Sequence, residues 1–248
     1  GVVGIIDQTN RGMGRNVAYV QKMAAQAGVE ITHATGYYKE PFLPPECYTL
    51  TEQQLCDIMV KELTEGMEGT GVRATVIGEI GTSKDITETE AKVFRAASRA
   101  HAETGAPICT HTTLGTRGLE QLEIFKSFGV DLSRVVLSHI DLSADLDYMK
   151  RLLDQGVNIA FDTIGKCNYQ PDVSRADWLS RLCAEGYDTQ IVMSMDITRR
   201  SNFADRGGVG YSYLLDTFAP LASEAGVPDR AWENLLYRNA LRIYKGQK

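Results

Sequence analysis

Short runs of apolar and β-branched residues recur along the chain, each followed by a loop and a stretch with apolar residues at helical spacing. The runs lie at 2–7, 29–35, 73–80, 107–112, 135–140, 157–162 and 190–196. Helical periodicity fills 14–27, 51–68, 87–104, 117–128, 144–155, 174–185 and 212–225, with a further helical tail from about 229 to 244. The runs are nearly all apolar rather than alternating, as expected when helices cover both faces of a parallel sheet.

Local chemistry supports these boundaries. Thr87 and Glu90 have the spacing of a capping box, which satisfies open N–H groups at a helix start. Gly105 and Pro107 end the same helix, and Gly28, Gly129, Gly156 and Gly186 stand just past other helix ends. Strand, helix, strand with short connections predicts an α/β fold with a parallel sheet. An open doubly wound sheet and a (β/α)8 TIM barrel both fit, and seven units, one short of eight, favour the barrel. The expectation is therefore a single barrel domain over 1–248 with its first strand absent from this chain, which begins at Gly1 without an initiator Met.

Composition narrows the function classes. Lys and Arg number 26 against 32 Asp and Glu, a net charge of −6. That balance argues against a general nucleic-acid or anionic-membrane binder. No apolar run approaches the length of a membrane span. The five cysteines, Cys47, Cys56, Cys109, Cys167 and Cys183, are scattered and form no C-x-x-C. This is a reduced, cytoplasmic pattern rather than a disulfide or zinc framework.

The candidate chemistry sits at the ends of the apolar runs, where barrel enzymes carry their catalytic groups. Glu79, His111, His139 and Asp196 close four of the seven. Singly, each has a structural reading: a loop-facing or capping carboxylate, a helix N-cap, a hydrogen-bonded core histidine. Together, two imidazoles and two carboxylates at equivalent places suit a divalent metal such as Zn2+, Mn2+ or Co2+. His101 is expected on the surface of its helix, and His33 as a satisfied histidine within its strand.

Several phrases, in order along the chain, then resemble one family. They are Thr9-Asn10-Arg11, Ala34-Thr35-Gly36-Tyr37-Tyr38, Gly78-Glu79-Ile80-Gly81-Thr82-Ser83, Thr110-His111-Thr112, Ser138-His139-Ile140-Asp141, Phe161-Asp162-Thr163-Ile164-Gly165-Lys166 and Met193-Ser194-Met195-Asp196. The sequence resembles the phosphotriesterase family of the amidohydrolase superfamily, and within it the branch of bacterial phosphotriesterase homology proteins. The resemblance implies a barrel hydrolase with two divalent ions in the complete protein, Zn2+ foremost, and homodimers. It puts the bridging ligand at Glu79, the histidines of the second metal at His111 and His139, and the first-metal, proton-handling aspartate at Asp196. The family's His-x-His pair occurs nowhere here, and Thr163 stands where other members have a histidine or arginine that assists the reaction.

Substrate recognition is expected from Lys166, Arg199 and Arg200 beside the glycines at 207, 208 and 210, which suit a phosphorylated group. Tyr37 and Tyr38 could wall the pocket or hold an ester oxygen. The sequence thus points to a metal-dependent hydrolase of a small carboxylic or phosphoric ester, a lactone foremost, using a metal-bound hydroxide. The alternative is a catalytically silent barrel that binds a small anionic ligand or a partner.

Overall fold

The structure, a computed structural model, describes residues 2–246. The chain divides into two compact units, one of Gly1–Thr113 with Arg117–Val136, the other of Leu114–Thr116 with Leu137–Lys248.

The first unit alternates strands and helices: β1 (Gly4–Asp7), α1 (Val17–Ala27), β2 (Glu30–Thr35), α2 (Glu46–Thr49), α3 (Glu52–Thr64), β3 (Val76–Thr82), α4 (Glu88–Thr104), β4 (Ile108–Thr112) and α5 (Gly118–Ser127). Strands β1 to β4 pair in parallel in sequence order, and the first half of β5 (Val135–Ser138) follows. The second unit continues from the end of β5 through α6 (Leu146–Leu153), β6 (Asn158–Phe161), α7 (Asp172–Ala184), β7 (Ile191–Met193), α8 (Ala219–Glu224) and α9 (Asp229–Glu233), with β6 and β7 parallel. Parallel neighbours in chain order, each reached through a helix, make this an α/β fold. Among the described residues no helix is long and apolar enough to cross a membrane.

The helix boundaries have the expected physical causes. Thr87 and Glu90 form the full capping box of α4, and Gly105 closes it at φ 69°. Thr51 and Gln54 make a second box that starts α3. Buried Glu90 also accepts from the backbone N–H and hydroxyl of Ser83, so one carboxylate caps α4 and fastens the loop after β3. The strands β5 and β6 are buried at every position. Phe94 and Phe125 stack with centroids 5.3 Å apart in the core of the first unit. Phe161, Leu152, Leu179 and Phe218 are fully buried in the second. Each such side chain contributes about 1.5–3 kcal/mol relative to exposure.

Two expectations change. His101 is buried rather than on the helix surface: its Nδ1 lies 2.8 Å from the Ala106 carbonyl, and its Nε2 accepts from Asp131 N at 3.3 Å. The left-handed turn at Gly105 folds the chain back over the last helical turn, which covers it. The strands expected over 135–140 and 190–196 stop at Ser138 and Met193. His139 and Asp196 instead have left-handed backbones, with φ of 64° and 43°, and a strand cannot run through such residues.

Candidate metal centre

In the first unit, β3 and β4 present Glu79 and His111 side by side. The register pairs Gly81 with His111, and Glu79 Oε2 lies 3.8 Å from His111 Nδ1. This approach depends on Gly78: a Cβ there would stand 2.5 Å from the carbonyl oxygen of Cys109 on β4. The backbone carbonyl of Glu79 accepts from Asn10 Nδ2 at 2.7 Å. Gln121, fully buried on α5, donates to the His111 carbonyl at 2.9 Å and to Thr82 Oγ1 at 2.8 Å, and accepts from Thr110 Oγ1 at 2.6 Å. One amide thereby clamps the ends of both strands. The hydroxyl of Tyr38 lies 3.0 Å from His111 Nδ1, and the two rings meet edge-on at 4.8 Å.

In the second unit, the turn at His139 brings its backbone N–H and its ring onto one acceptor. Asp162 Oδ1 lies 2.9 Å from His139 N and 2.8 Å from Nδ1. Because the carboxylate can only accept, Nδ1 carries a proton, and in the neutral ring Nε2 is the acceptor nitrogen. Burial pushes the Asp162 carboxyl up to about 6, against the pull of His139. Asp196 Oδ2 pairs with Lys166 Nζ. Thr163, next to Asp162, donates its hydroxyl to Asp141 and accepts from Arg175.

The residues expected to meet substrate fall in different surroundings. Tyr37 is fully buried, and burial together with the Glu46 carboxylate pushes its phenol well above the usual range. The tyrosine expected to face substrate at 37 is therefore a core residue, and the contact with His111 belongs to Tyr38. Lys166 is engaged with Asp196, while Arg199 and Arg200 are exposed on the loop that precedes the glycines. His33 is buried, 2.8 Å from Gln21 Nε2 through its Nε2 and 3.7 Å from Asp7 through its Nδ1.

Sequence reasoning did not assign Asp162, Gln121 or Arg175. Asp162 had a signal, a carboxylate ending the apolar run next after that of His139. Nothing local marks the role of Gln121 or Arg175, because the partners that tie them to the strand ends lie 10 to 39 residues away.

The donor chemistry fits a divalent ion. His139 is held by a carboxylate, the arrangement that carboxylates give metal-binding histidines, and in the first unit the Glu79 carboxylate lies beside the imidazole of His111. The model of the phosphotriesterase family matches residues 1–244. The chain belongs to the phosphotriesterase family. It is 42% identical to the phosphotriesterase homology protein of Escherichia coli, over 99% of this chain and 84% of that protein. A crystal structure of that protein, complexed with phosphate in its active site, superposes with a TM-score of 0.96 over 98% of this chain and 84% of the other. A lactonase from Listeria monocytogenes, 29% identical, matches with a TM-score of 0.92 over 99% of this chain and 82% of that one. An N-acetyltaurine hydrolase from Danio rerio is 31% identical over 96% of this chain and 72% of its own length. Family membership and these neighbours support a metal-dependent hydrolase.

Proposed function

We propose that the protein hydrolyses a small ester carrying an anionic group, a lactone foremost, on a (β/α)8 barrel that holds divalent metal. The ligands are Glu79, His111, His139 and Asp196. The first three each offer one ligand atom of the kind that Zn2+ takes, with Mn2+ or Co2+ as alternatives. The observation that carries this reading is the His139–Asp162 pair, in which the proton on Nδ1 leaves Nε2 as the acceptor.

A divalent ion supplies acidity to water and polarisation to the ester carbonyl. The remaining work falls to the chain. Asp196 takes the proton that water releases, on the carboxylate oxygen that Lys166 does not hold, and returns it to the alkoxide oxygen freed when the ester C–O bond breaks. Tyr38 orients the His111 ring and borders the place of the substrate. Lys166, Arg199 and Arg200 recognise the anionic group through charge-assisted hydrogen bonds. Lys166 is then shared between Asp196 and the substrate.

A second reading keeps the same residues and exchanges the ester for an N-acyl amide with an acidic group. The N-acetyltaurine hydrolase among the relatives favours it. In that reading the bond that breaks is C–N, and Asp196 returns the proton to the leaving amine nitrogen instead of to an alkoxide oxygen.

Metal analysis of the purified protein, with hydrolysis assays on neutral lactones, phosphorylated lactones and N-acyl taurines, tests both readings. Glu79→Ala is expected to lose metal and hydrolysis together. Full activity without bound metal would overturn the proposal. A protein with neither metal nor hydrolysis would instead be a silent binding barrel.

A further inference from the structure

Asp141 lies two residues beyond His139, and Thr163 one residue beyond Asp162. Both end on the same guanidinium. Arg175, from the first turn of α7, is fully buried and heads the buried side chains by volume. Its Nε donates to Asp141 Oδ2 at 2.7 Å and its Nη2 to Thr163 Oγ1 at 2.7 Å. Its Nη1 donates to Asp172 Oδ1 at 2.8 Å and to the carbonyl of Gln170 at 2.5 Å. The Thr163 hydroxyl completes the triangle by donating to Asp141 Oδ2. Asp172 accepts in turn from Gly165 N at 3.2 Å and from the Tyr213 hydroxyl at 3.0 Å.

A buried cation between carboxylates is a poor way to gain stability, because well-packed apolar residues of the same volume often serve as well or better. A guanidinium offers geometry instead: a rigid planar fork that fixes several acceptors at once. Arg175 uses its fork on three separate segments, the turn after β5, the end of β6 and the loop leading into α7. Those segments carry His139, Asp162 and Lys166.

The geometry points to Arg175 as a positioning residue of the hydrolytic site. Through Asp141 and Thr163 it fixes the two strand ends so that Asp162 meets His139. Through Asp172 and Gln170 it fixes the loop that brings Lys166 to Asp196. Its hydrogen bonds go to Asp141, Thr163, Asp172 and Gln170 rather than to these four. The catalytic consequence rests on the reading of His139 as a metal ligand, whereas the His139–Asp162 hydrogen bond belongs to this chain with or without metal.

The test is imidazole NMR of metal-free protein with 15N-labelled histidine, following exchange of the His139 Nδ1 proton. It is paired with zinc affinity from chelator competition. Thr163→Val removes the bridging hydroxyl with little change of shape, and Arg175→Lys keeps the charge without the fork. Both are expected to exchange that proton about tenfold faster or more and to bind zinc about 10- to 100-fold more weakly. Folded variants with wild-type exchange and wild-type affinity would overturn the role. If Arg175→Lys does not fold, Thr163→Val carries the test. If wild-type protein takes up none of Zn2+, Mn2+ and Co2+, the proposed function fails, and the exchange measurement alone decides the positioning role.

Discussion

Asp162 Oδ1 accepts two hydrogen bonds from one residue, the backbone N–H of His139 at 2.9 Å and its ring Nδ1 at 2.8 Å. The two contacts fix both the place of His139 and the tautomer of its ring. They also account for the left-handed backbone at 139, because that turn aims the backbone N–H and the ring at one oxygen.

Removing that acceptor should act first on metal binding. In Asp162→Ala the ring of His139 is released, and zinc affinity is expected to fall about 10- to 100-fold. Asp162→Asn keeps an acceptor without the charge and should fall less. Chelator competition on the two variants checks the order. Equal affinities in Asp162→Ala and wild type would remove His139 from the ligand set.

Lys166 is engaged with Asp196 and is also the candidate for holding an anionic substrate. Lys166→Met is expected to raise KM for a phosphorylated lactone about 10- to 100-fold, the worth of a hydrogen bond to a charged group. KM for a neutral lactone should hold. Steady-state kinetics on the two substrates separates the roles, since equal losses on both would tie Lys166 to Asp196 alone.

Gly78 keeps β3 against β4. Gly78→Ala would put a methyl group 2.5 Å from the Cys109 carbonyl and 3.0 Å from the Cys109 Cβ. The two strands must separate at the point where Glu79 and His111 meet. A loss of about 1–3 kcal/mol in urea unfolding is expected from such overpacking, together with weaker zinc binding. Wild-type zinc affinity in this variant would show that the spacing of β3 and β4 does not control the site.

Glu62 ties three elements of the first unit. It accepts from Arg15 at 2.7 and 2.8 Å, from Arg11 at 2.9 Å and from Thr35 Oγ1 at 2.6 Å, and it is buried. Burial pushes its carboxyl up, but the hydrogen bonds and charges of Arg15, Thr35 and Arg11 outweigh that and hold it below the usual range. A carboxyl lowered in the folded state binds protons more weakly there than in the unfolded chain. Its contribution to stability is thus complete above the unfolded value of about 4.3 and is lost as pH falls through the lower folded value. Urea unfolding from pH 6 downward should show this loss in wild type. Glu62→Leu should be less stable by about 3–5 kcal/mol at neutral pH and should show a smaller pH dependence over that acid range.

How legible the site was depended on distance along the chain. Glu79, His111, His139 and Asp196 could be picked out as candidates because each closes an apolar run, and such runs give strands or the turns directly after them. The seven strands and most helix boundaries were legible for the same reason: capping residues and hydrophobic spacing act within a few positions. The roles of Tyr37 and Tyr38 were not. Two adjacent tyrosines look alike in sequence, and only the packed chain buries one and turns the other towards His111. His101 was misplaced because the loops that cover it lie outside its own helix.

The sequence by itself therefore determined the α/β alternation, the order of the strands and the residue types that suit a metal. Each of these follows from periodicity, capping and side-chain chemistry that a local segment carries. The tertiary structure decided which partner each functional group has: Asp162 on His139, Lys166 on Asp196, Gln121 across β3 and β4, and Arg175 beneath the turn after β5. Those pairings join residues 10 to 39 positions apart. Local propensity says nothing about contacts at that range, because they form only when packed elements bring hydrogen-bonding groups to within about 3 Å of each other in a place that water cannot reach.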